Sequence, residues 1–513
     1  MPIAANPRDG LTRPGFVAPV PLAALAALCA GVVSGPADGL EVVGITASSD
    51  RVRPGDLFAA VPGQSAHGAR FARQAVAAGA RAVLTDAIGA GLVPSGTPIL
   101  VVDQVRACLG PVSAAVYGRP SSALSVVGVT GTSGKTTATF MVRAGLQAAG
   151  RAAGLIGTVA TLIGGDEIHT GFTTPEAPDV QALLAVMRER GVRDVVMEVS
   201  SHALSMGRAA GIDFQVAAFT NLSQDHLDFH ADMADYFDAK ARLFDGGAWP
   251  VIVIDDTWGQ RLVDRLGPCT TVATDFGNTT ATWTARDVEA LPNGRTRFRA
   301  VETVGARRDV VTGCAMPGRF NVANALLALA ILDRVGVPVD VAGSAVAAAT
   351  VPGRMERVDA GQSFLAIVDY SHKPAALEVA LRSLRPLTSG RLIVVLGCGG
   401  DRDRAKRPVM GEIAARGADL LIVTDDNPRT EDPAAIRGAM LEGSRSLPAG
   451  EGGEVLEIGD RAKAIYAAVA AAAPGDTVLV AGKGHESGQE INGVIHPFDD
   501  RAVLRAALLE ATS

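Results

Sequence analysis

A glycine-rich segment, Gly128–Thr137 with the sequence GVTGTSGKTT, constrains the fold of this 513-residue chain more than any other feature. It follows the apolar run Leu124–Val129 and opens a helical pattern. A strand, a glycine-rich loop and a helix start surround a polyphosphate with backbone N–H groups. Lys135 can then reach the β- and γ-phosphates, and the Thr136 hydroxyl can ligate Mg²⁺. The alternative, a helix start with incidental glycines, is disfavoured by the Gly-Lys-Thr sequence, so we predict an ATP- or GTP-binding loop.

The bulk properties narrow the class of protein. A chain of 513 residues is too long for a single core and predicts several domains. Its 48% hydrophobic and 20% charged residues describe an ordered protein, and a net charge of −7 argues against a general nucleic-acid surface. The five cysteines are scattered without metal-ligand spacing, which favours a reducing compartment with neither disulfides nor a zinc site.

The apolar run Phe16–Val33 has the length of a secretory signal. Pro19 and Pro21 interrupt it, however, and its leucines recur every three residues, as on a buried helix face. We therefore predict the first helix of the fold here, no membrane insertion and a cytoplasmic protein.

Strand-like apolar runs alternate with helical patterns from residue 40 onward, which predicts an α/β fold of parallel sheets with crossover helices. Two breaks, at residues 117–122 and 350–354, divide the chain into predicted domains 1–120, 121–351 and 352–513. Ligands in such sheets bind beyond the carboxyl ends of strands. The predicted strands are Leu124–Val129, Val195–Val199, Val216–Thr220, Val251–Asp255, Arg391–Leu396, Leu420–Thr424 and Thr477–Ala481.

Two strand ends of the middle region carry candidate metal ligands. Glu198 ends a buried strand, where a carboxylate either lies beside Mg²⁺ or caps the next helix, and the nearby phosphate loop favours the metal role. His226 belongs to a dense polar segment and is a candidate metal or phosphate ligand. The pattern around Lys240 predicts only a solvent-exposed lysine on an amphipathic helix.

Three strand ends of the last region concentrate charge. Gly397–Arg407 combines glycines with arginines, which grip carboxylates or phosphates in bidentate fashion. Asp425–Arg429 could hold a zwitterion, with its carboxylate on Arg429 and its ammonium on Asp or Asn. Gly482–Glu486 adds another acid. Any one of these loops alone could be a turn with surface charges. This alternative is less favoured when three such loops follow adjacent strands.

With these motifs in view, the chain resembles the Mur ligases of peptidoglycan synthesis over nearly its whole length. The motifs that carry the resemblance are Thr130–Thr137, Thr173–Glu176, Glu198–His202, Asn221–His226, Asn321–Asn324, Pro352–Glu356, Asp369–His372, Gly397–Arg407, Asp426–Arg429 and Gly482–Glu486. The resemblance implies an N-terminal domain for a UDP-linked substrate, a central P-loop ATPase and a C-terminal Rossmann-like domain.

The resemblance also implies roles for individual residues. ATP would be bound by Gly131, Thr132, Ser133, Gly134, Lys135, Thr136, Thr137, Asn321, Arg354, Asp369 and His372. The UDP-muramoyl-dipeptide would be bound by Ser49, Thr173, Thr174, Ser200 and Arg208. The amino-acid pocket would contain Arg402, Asp426, Asn427, Pro428, Arg429, Gly482 and Glu486. Magnesium ions would be held by Thr136, Glu198, His226 and Lys240, the last as a carbamate. This implied role overrules the pattern-based interpretation of Lys240 as a solvent-exposed lysine. The catalytic residues would be Lys135, Glu198, His226 and Lys240.

The implied reaction is ATP-dependent addition of an amino acid to UDP-N-acetylmuramoyl-L-alanyl-D-glutamate through an acyl phosphate, by a monomer. The intact Asp426–Arg429 sequence favours meso-diaminopimelate, because L-lysine lacks the distal carboxylate that Arg429 would bind. Two alternatives stay open: a sister ligase that adds L-lysine or another amino acid, and a P-loop switch that hydrolyses nucleotide to change partners.

Overall fold

A computed structural model describes residues 9–63, 65–168, 170–274, 280–291, 293–448 and 450–512. The chain forms two compact units. Of the described residues, the first unit contains those up to residue 284 together with 303–306 and 326–342, and the second contains those within 285–302 and 307–325 and those from residue 343 onward.

The first unit begins with a five-stranded sheet. Its order is β2-β7-β6-β5-β4, with parallel pairs except for the antiparallel β2–β7 pair, and β1 pairs separately with β3. The elements are α1 (Asp9–Thr12), β1 (Val20–Pro21), α2 (Leu22–Leu28), β2 (Val32–Ser34), β3 (Glu41–Val42), β4 (Gly44–Thr46), β5 (Asp56–Ala59), α3 (Ala72–Ala77), β6 (Ala82–Thr85), α4 (Ala87–Ala90), β7 (Ile99–Val101) and α5 (Val105–Val116).

The apolar run Phe16–Val33 is helical only over α2, and α1 precedes it, so the prediction that it forms the first helix is only partly right. Leu22 and Leu25 of α2 are buried, as the three-residue spacing predicts, but Leu28 is exposed, so the prediction is wrong for that leucine. Among the described residues, no helix is both long and apolar enough to cross a membrane.

The larger sheet of the first unit carries the glycine-rich loop. Strands β9-β12-β8-β13-β14-β15 run parallel, and β10 and β11 extend the β9 edge in antiparallel fashion. Helices cover a core that includes Val126, Val195 and Phe219. The elements are β8 (Ser125–Thr130), α6 (Lys135–Ala148), β9 (Ala153–Ile156), β10 (Thr161–Ile163), β11 (Asp166–Ile168), α7 (Ala177–Glu189), β12 (Asp194–Glu198), α8 (Ser201–Ser205), β13 (Val216–Phe219), α9 (Met233–Ala241), β14 (Trp249–Val253), α10 (Thr257–Leu266) and β15 (Thr270–Ala273).

The chain passes between the two units several times over residues 283–348. This stretch contains β16 (Trp283–Ala290), β17 (Thr296–Glu302), β18 (Asp309–Cys314), α11 (Arg319–Arg334) and α12 (Val339–Ala348). Strands β17 and β18 form an antiparallel hairpin in the second unit.

The second unit contains a six-stranded sheet of order β19-β20-β24-β21-β22-β23, parallel except at the β19 edge. Its central strands are buried along their whole length, as expected for a sheet covered by helices on both faces. The elements are β19 (Glu356–Arg357), β20 (Leu365–Asp369), α13 (Pro374–Leu384), β21 (Leu392–Leu396), α14 (Lys406–Gly417), β22 (Leu420–Val423), α15 (Pro433–Arg445), β23 (Glu454–Glu457), α16 (Arg461–Ala471), β24 (Thr477–Ala481), β25 (Gly488–Ile491), β26 (Val494–Pro497) and α17 (Asp500–Thr512).

All seven predicted strands are present within two residues of their predicted ends, and the α/β class is confirmed. Short antiparallel hairpins such as β10–β11 and β25–β26 accompany the predicted parallel sheets. All five cysteines are free thiols.

Candidate functional site

The glycine-rich loop connects β8 to the start of α6. Gly131 has a φ of 143°, and a Cβ at this position would overlap the Thr220 hydroxyl, so only glycine fits. Lys135, the first residue of α6, folds back so that its Nζ donates to the carbonyls of Gly131 and Thr132, both at 2.8 Å. The loop therefore presents a helix N-terminus and a lysine ammonium at one place, the arrangement that binds phosphate.

The next strand along the sheet fixes the far side of this loop. The Asn221 amide accepts from the Ser133 N–H at 3.1 Å and donates to the Ser133 carbonyl at 3.0 Å. Gly134 has a φ of 86° where the loop turns into α6, and Thr137 is buried in the first turn of that helix. The conformation of the loop is thus set by two neighbouring strand ends.

Glu198, at the end of β12, is buried beside the loop with 1% of its surface exposed. Its carboxylate accepts from the Thr136 hydroxyl at 3.0 Å and from the N–H and hydroxyl of Thr158 at 2.8 and 3.1 Å. The alternative that Glu198 caps the following helix is wrong, because Ser200 caps α8 by accepting from the Ala203 N–H at 3.2 Å. A carboxylate and a hydroxyl therefore meet where a hard divalent cation would find oxygen ligands.

Lys240 is buried, with 2% of its surface exposed, so the pattern-based prediction of a solvent-exposed lysine is wrong. Its Nζ donates to the Gly131 carbonyl at 2.8 Å and lies 4.4 Å from the centre of the Tyr236 ring. Burial, together with the nearby charge of Lys135, lowers the pKa of Lys240 well below its usual value. Helix α9 is covered on the face that carries this lysine, which its sequence periodicity does not reveal.

His226 lies in a cluster of rings near α9. It has a φ of 54°, and its ring centroid is 4.7 Å from that of His202 and 6.1 Å from that of Tyr236. His202 also stacks on Phe229 at 4.1 Å. Burial lowers the pKa of His202, with a further contribution from nearby His230. Sequence reasoning selected only His226 from this cluster.

Three of the four candidate catalytic side chains of the first unit thus meet around one loop: Lys135 and Lys240 share the Gly131 carbonyl, and Glu198 holds Thr136. Among the described residues, no group of three or more His, Cys, Asp and Glu side chains is arranged to hold a metal.

Four of the five residues expected to bind the UDP-linked substrate lie next to Glu198. Thr173 contacts Thr158, hydroxyl to hydroxyl, at 3.0 Å, and the Thr174 hydroxyl donates to the Glu198 carbonyl at 2.9 Å. The Ser200 N–H donates to the Thr174 hydroxyl at 3.2 Å, and Arg208 donates to the Thr174 carbonyl at 3.3 Å. Ser49 is not part of this network.

Ser49 lies instead in the N-terminal sheet region, where its hydroxyl donates to the Gln74 side chain at 3.2 Å. Gln74 in turn donates to Asp50 at 2.7 Å. Arg208 is fixed on its other side by Glu176, which accepts from its Nε at 3.0 Å.

Three of the expected nucleotide contacts in the second unit gather around Tyr370. Arg354 lies over the Tyr370 ring at 4.4 Å, and His372 Nδ1 is 2.8 Å from the Tyr370 carbonyl. Asp369 ends β20, and its carboxylate accepts from the Met355 N–H at 2.7 Å. Asn321, at the start of α11, donates to the Pro317 carbonyl at 2.7 Å.

Acid is expected to destabilise the second unit through His372. Burial lowers the pKa of His372 to about 4, against about 6.5 in an unfolded chain. Between these values only the unfolded chain binds the proton, so stability falls as pH decreases from 6.5 towards 4, by at most about 3 kcal/mol. Thermal unfolding at pH 7 and pH 5 measures the loss, which His372→Gln should reduce and exposed His496→Gln should not. Equal acid sensitivity in all three proteins would contradict the assignment.

The loops after β22 and β24 meet in the second unit. Asn427 donates to Glu486 at 2.9 Å, and Asp426 faces Gly482, where a Cβ would lie 2.8 Å from its carboxylate. The Lys483 ammonium donates to Asn427 at 2.9 Å. The sequence-based prediction placed the acids and the Asn427 amide together, but it assigned no role to Lys483.

Arg429 is held in a left-handed conformation, with a φ of 52°. Its Nη1 donates to the Gly400 carbonyl at 2.7 Å, and its Nε donates to Glu490 of β25 at 3.1 Å. Pro428 packs its carbonyl against Gly400. Arg402 is exposed and donates to the Asp401 carbonyl at 3.4 Å, and its Cγ lies near Gly399, as does Arg429 Nη1.

A buried ion pair that sequence reasoning missed lies beneath these loops. Arg461 and Asp500 are both fully buried, and Arg461 Nε donates to Asp500 at 2.7 Å. Arg461 also donates to the carbonyls of Ala481 at 2.9 Å and Asp425 at 3.4 Å. It therefore ties together the ends of β24 and β22, from which the two loops emerge.

The fold and the loop geometry define an α/β protein with a nucleotide-binding phosphate loop in its first unit and a cluster of charged and amide side chains in its second. The chain matches three family models: "Mur ligase family, catalytic domain" at residues 41–117, "Mur ligase middle domain" at 129–332 and "Mur ligase, glutamate ligase domain" at 353–484. The chain belongs to the Mur ligase family. The predictions of this family and of an ATP-dependent ligase are therefore confirmed.

Individual relatives of this chain are ligases of the same family. A UDP-N-acetylmuramoyl-L-alanyl-D-glutamate–2,6-diaminopimelate ligase of Streptomyces avermitilis is 50% identical over 505 residues, which covers 97% of this chain and 98% of the relative. A UDP-N-acetylmuramyl-tripeptide synthetase of Leifsonia xyli is 43% identical over 514 residues, covering 99% of each chain. A solved structure of a 2,6-diaminopimelate ligase of the same kind has a TM-score of 0.70 at 31% identity and covers 97% of this chain and 100% of its own.

Proposed function

We propose that this chain uses ATP to join meso-diaminopimelate to UDP-N-acetylmuramoyl-L-alanyl-D-glutamate in peptidoglycan precursor synthesis. The observation that carries the proposal is the convergence of Lys135, Glu198 and Lys240 on one phosphate loop. The choice of amino acid is supported by the diaminopimelate ligases that are about half identical over nearly the whole chain, and by the Asp426–Arg429 sequence.

In the proposed reaction the D-glutamyl carboxylate attacks the γ-phosphorus of ATP, a C–O–P bond forms, and the bond to ADP breaks. The amine of diaminopimelate then attacks the acyl carbon, loses a proton, and phosphate leaves. Phosphoryl transfer depends on alignment and charge neutralisation rather than on a nucleophilic side chain. The N–H groups of the loop and Lys135 would therefore bind the phosphates, with Lys135 exchanging the loop carbonyls for phosphate oxygens.

The residues around Glu198 fit a divalent cation. The Thr136 hydroxyl and the Glu198 carboxylate are hard oxygen ligands, lie 3.0 Å apart and are both buried. A bound Mg²⁺ would neutralise charge on the transferring phosphoryl group. A second ion would be held by His226 and by Lys240 as its carbamate.

Lys240 fits carbamate formation. A neutral amine attacks CO₂, an N–C bond forms and a proton is released, so the reaction needs an amine that gives up its proton easily. Burial beside Lys135 favours the neutral amine of Lys240. The carbamate would replace a cation by the anion that a metal ion prefers.

Replacing Lys240 tests the carbamate. We expect Lys240→Ala and Lys240→Arg both to lower the ligation rate at least about 100-fold, because neither side chain forms a carbamate and an electrostatic contact in the transition state is lost. The rate of phosphate release measures this, and a carbamate carbon signal from ¹³C-bicarbonate in the unaltered protein is the matching observation. Near-normal activity of Lys240→Arg would mean that only a cation is needed.

The remaining site residues are assigned by group. ATP would be bound by Gly131–Thr137 together with Asn321, Arg354, Asp369 and His372. The UDP-linked substrate would be bound by Ser49, Thr173, Thr174, Ser200 and Arg208. Diaminopimelate would be bound by Arg402, Asp426, Asn427, Pro428, Arg429, Gly482 and Glu486.

We also propose a domain organisation, an oligomeric state and a cellular location for this chain. The three domains would comprise residues 1–120, 121–351 and 352–513, and the enzyme would act as a cytoplasmic monomer. Family models that end at residue 117, span 129–332 and begin at 353 support these boundaries.

Phosphate release from ATP tests the proposed function. Release should require the UDP-linked dipeptide and meso-diaminopimelate together, and it should be much slower with L-lysine. A preference for L-lysine would keep the ligase but overturn the substrate. Release that ignores both amino acids would indicate a nucleotide-hydrolysing switch.

A further inference from the structure

Lys483, in the loop after β24, is a fully buried cation with no role in the proposed reaction. Its Nζ donates to Asn427 Oδ1 at 2.9 Å and lies 3.4 Å from Glu486 Oε2. Burying a charged group is costly unless it is paired and hydrogen-bonded. Both of its partners belong to the proposed diaminopimelate pocket, so the charge is positioned where it can affect substrate binding.

The contacts of Asn427 fix the orientation of its amide. An ammonium only donates, so the atom that faces Lys483 is the oxygen, and the Glu490 N–H donates to the same oxygen at 3.0 Å. A carboxylate accepts, so the atom that faces Glu486 at 2.9 Å is the nitrogen. The two neighbours therefore assign the oxygen and the nitrogen without ambiguity.

This orientation decides what Asn427 can offer a ligand. Both lone pairs of its oxygen are engaged, and one amide hydrogen is not used by Glu486. Asn427 can consequently donate to a carboxylate but cannot accept from an ammonium. The sequence-based expectation allowed an ammonium on Asp or Asn; the geometry leaves that role to the acids.

We propose that Lys483 is a positioning residue that sets the polarity of the amino-acid pocket. By holding the Asn427 oxygen, it makes Asn427 and Arg429 a pair of donors for one carboxylate of the substrate. Asp426 and Glu486 are then the acceptors for its ammonium. The inference rests on the proposed function and adds the residue that separates donors from acceptors.

Without Lys483 the Asn427 oxygen keeps only the Glu490 N–H as a donor, so fewer contacts hold the amide and its oxygen regains a lone pair that repels the substrate carboxylate. The same change leaves Glu486 without its neighbouring cation. Binding of diaminopimelate should weaken, whereas ATP and the UDP-linked substrate should be unaffected. L-lysine lacks the distal carboxylate, so its use should change less, and the preference for diaminopimelate should decrease.

The test compares Lys483→Met with the control Lys463→Met, a lysine on α16 whose side chain is 79% exposed. Phosphate release is measured while meso-diaminopimelate, ATP, the UDP-linked dipeptide and L-lysine are varied in turn. We expect KM for diaminopimelate to rise at least tenfold in Lys483→Met, KM for ATP to stay within twofold, and the diaminopimelate-to-lysine ratio of kcat/KM to fall.

Two further measurements test the proposal if Lys483→Met fails to fold. Asn427→Asp keeps a partner for Lys483 but replaces the donor by an acceptor, and it should raise KM for diaminopimelate alone. Lys483→Ala leaves a cavity, and added propylammonium should restore diaminopimelate affinity, while propanol, which lacks the charge, should not.

An unchanged KM for diaminopimelate, or an equal rise for all substrates, would overturn the positioning role. Failure of the proposed function is separate, because it would appear in the unaltered protein as phosphate release that does not depend on diaminopimelate.

Discussion

Lys135→Ala is expected to lower ATP-dependent ligation by about a thousandfold or more, equivalent to about 4 kcal/mol of transition-state stabilisation. Lys135 is the ammonium that folds over the glycine-rich loop, 2.8 Å from the carbonyls of Gly131 and Thr132. In the transition state, a cation that is already in position must neutralise the negative charge on the transferring phosphoryl group. The measurement is the single-turnover rate of phosphate release with saturating substrates.

A second substitution on the same helix serves as the control. Gln147 is exposed near the end of α6, so Gln147→Ala should leave the rate within twofold. Because Lys135 also bonds its own loop, the thermal midpoint of Lys135→Ala should be compared with that of the unaltered protein. A folded Lys135→Ala protein with near-normal ligation would remove the loop from the proposed mechanism.

The phosphate loop could be predicted because its chemistry is local. The strand β8, the glycines that follow it and the helix start are consecutive in sequence, so their geometry follows from backbone preferences alone. The same holds for the strands of both large sheets, because each is a consecutive apolar run.

Lys240 could not be placed from its own pattern. A nine-residue helix with a few apolar positions predicts one buried face, and burial of the lysine face depends on Gly131, more than 100 residues away. Only the resemblance to a family identified this residue.

The orientation of Asn427 was likewise beyond a sequence argument. It depends on Lys483 and Glu490, which approach from a loop and a hairpin that are distant in sequence. A run of charged residues predicts that a pocket is polar; which atom donates is decided by tertiary contacts.

Arg429→Ala is expected to raise KM for meso-diaminopimelate about 100-fold, or about 3 kcal/mol, because a carboxylate would lose a charge-assisted partner. The guanidinium is held by Gly400 and Glu490, so its direction is fixed before substrate arrives. The kinetics should be measured with diaminopimelate and with L-lysine. Because L-lysine has no distal carboxylate, its kcat/KM should change little, and the preference for diaminopimelate should largely disappear.

Two companion variants make this result specific. Arg429→Lys keeps the charge but not the bidentate fork, so it should recover only part of the affinity. Arg445→Ala removes an exposed arginine from α15 and should have no effect. An unchanged KM for diaminopimelate in Arg429→Ala would remove the Asp426–Arg429 loop from the pocket. An equal loss for both amino acids would instead indicate that the left-handed residue at position 429 shapes the loop, and that carboxylate recognition lies elsewhere.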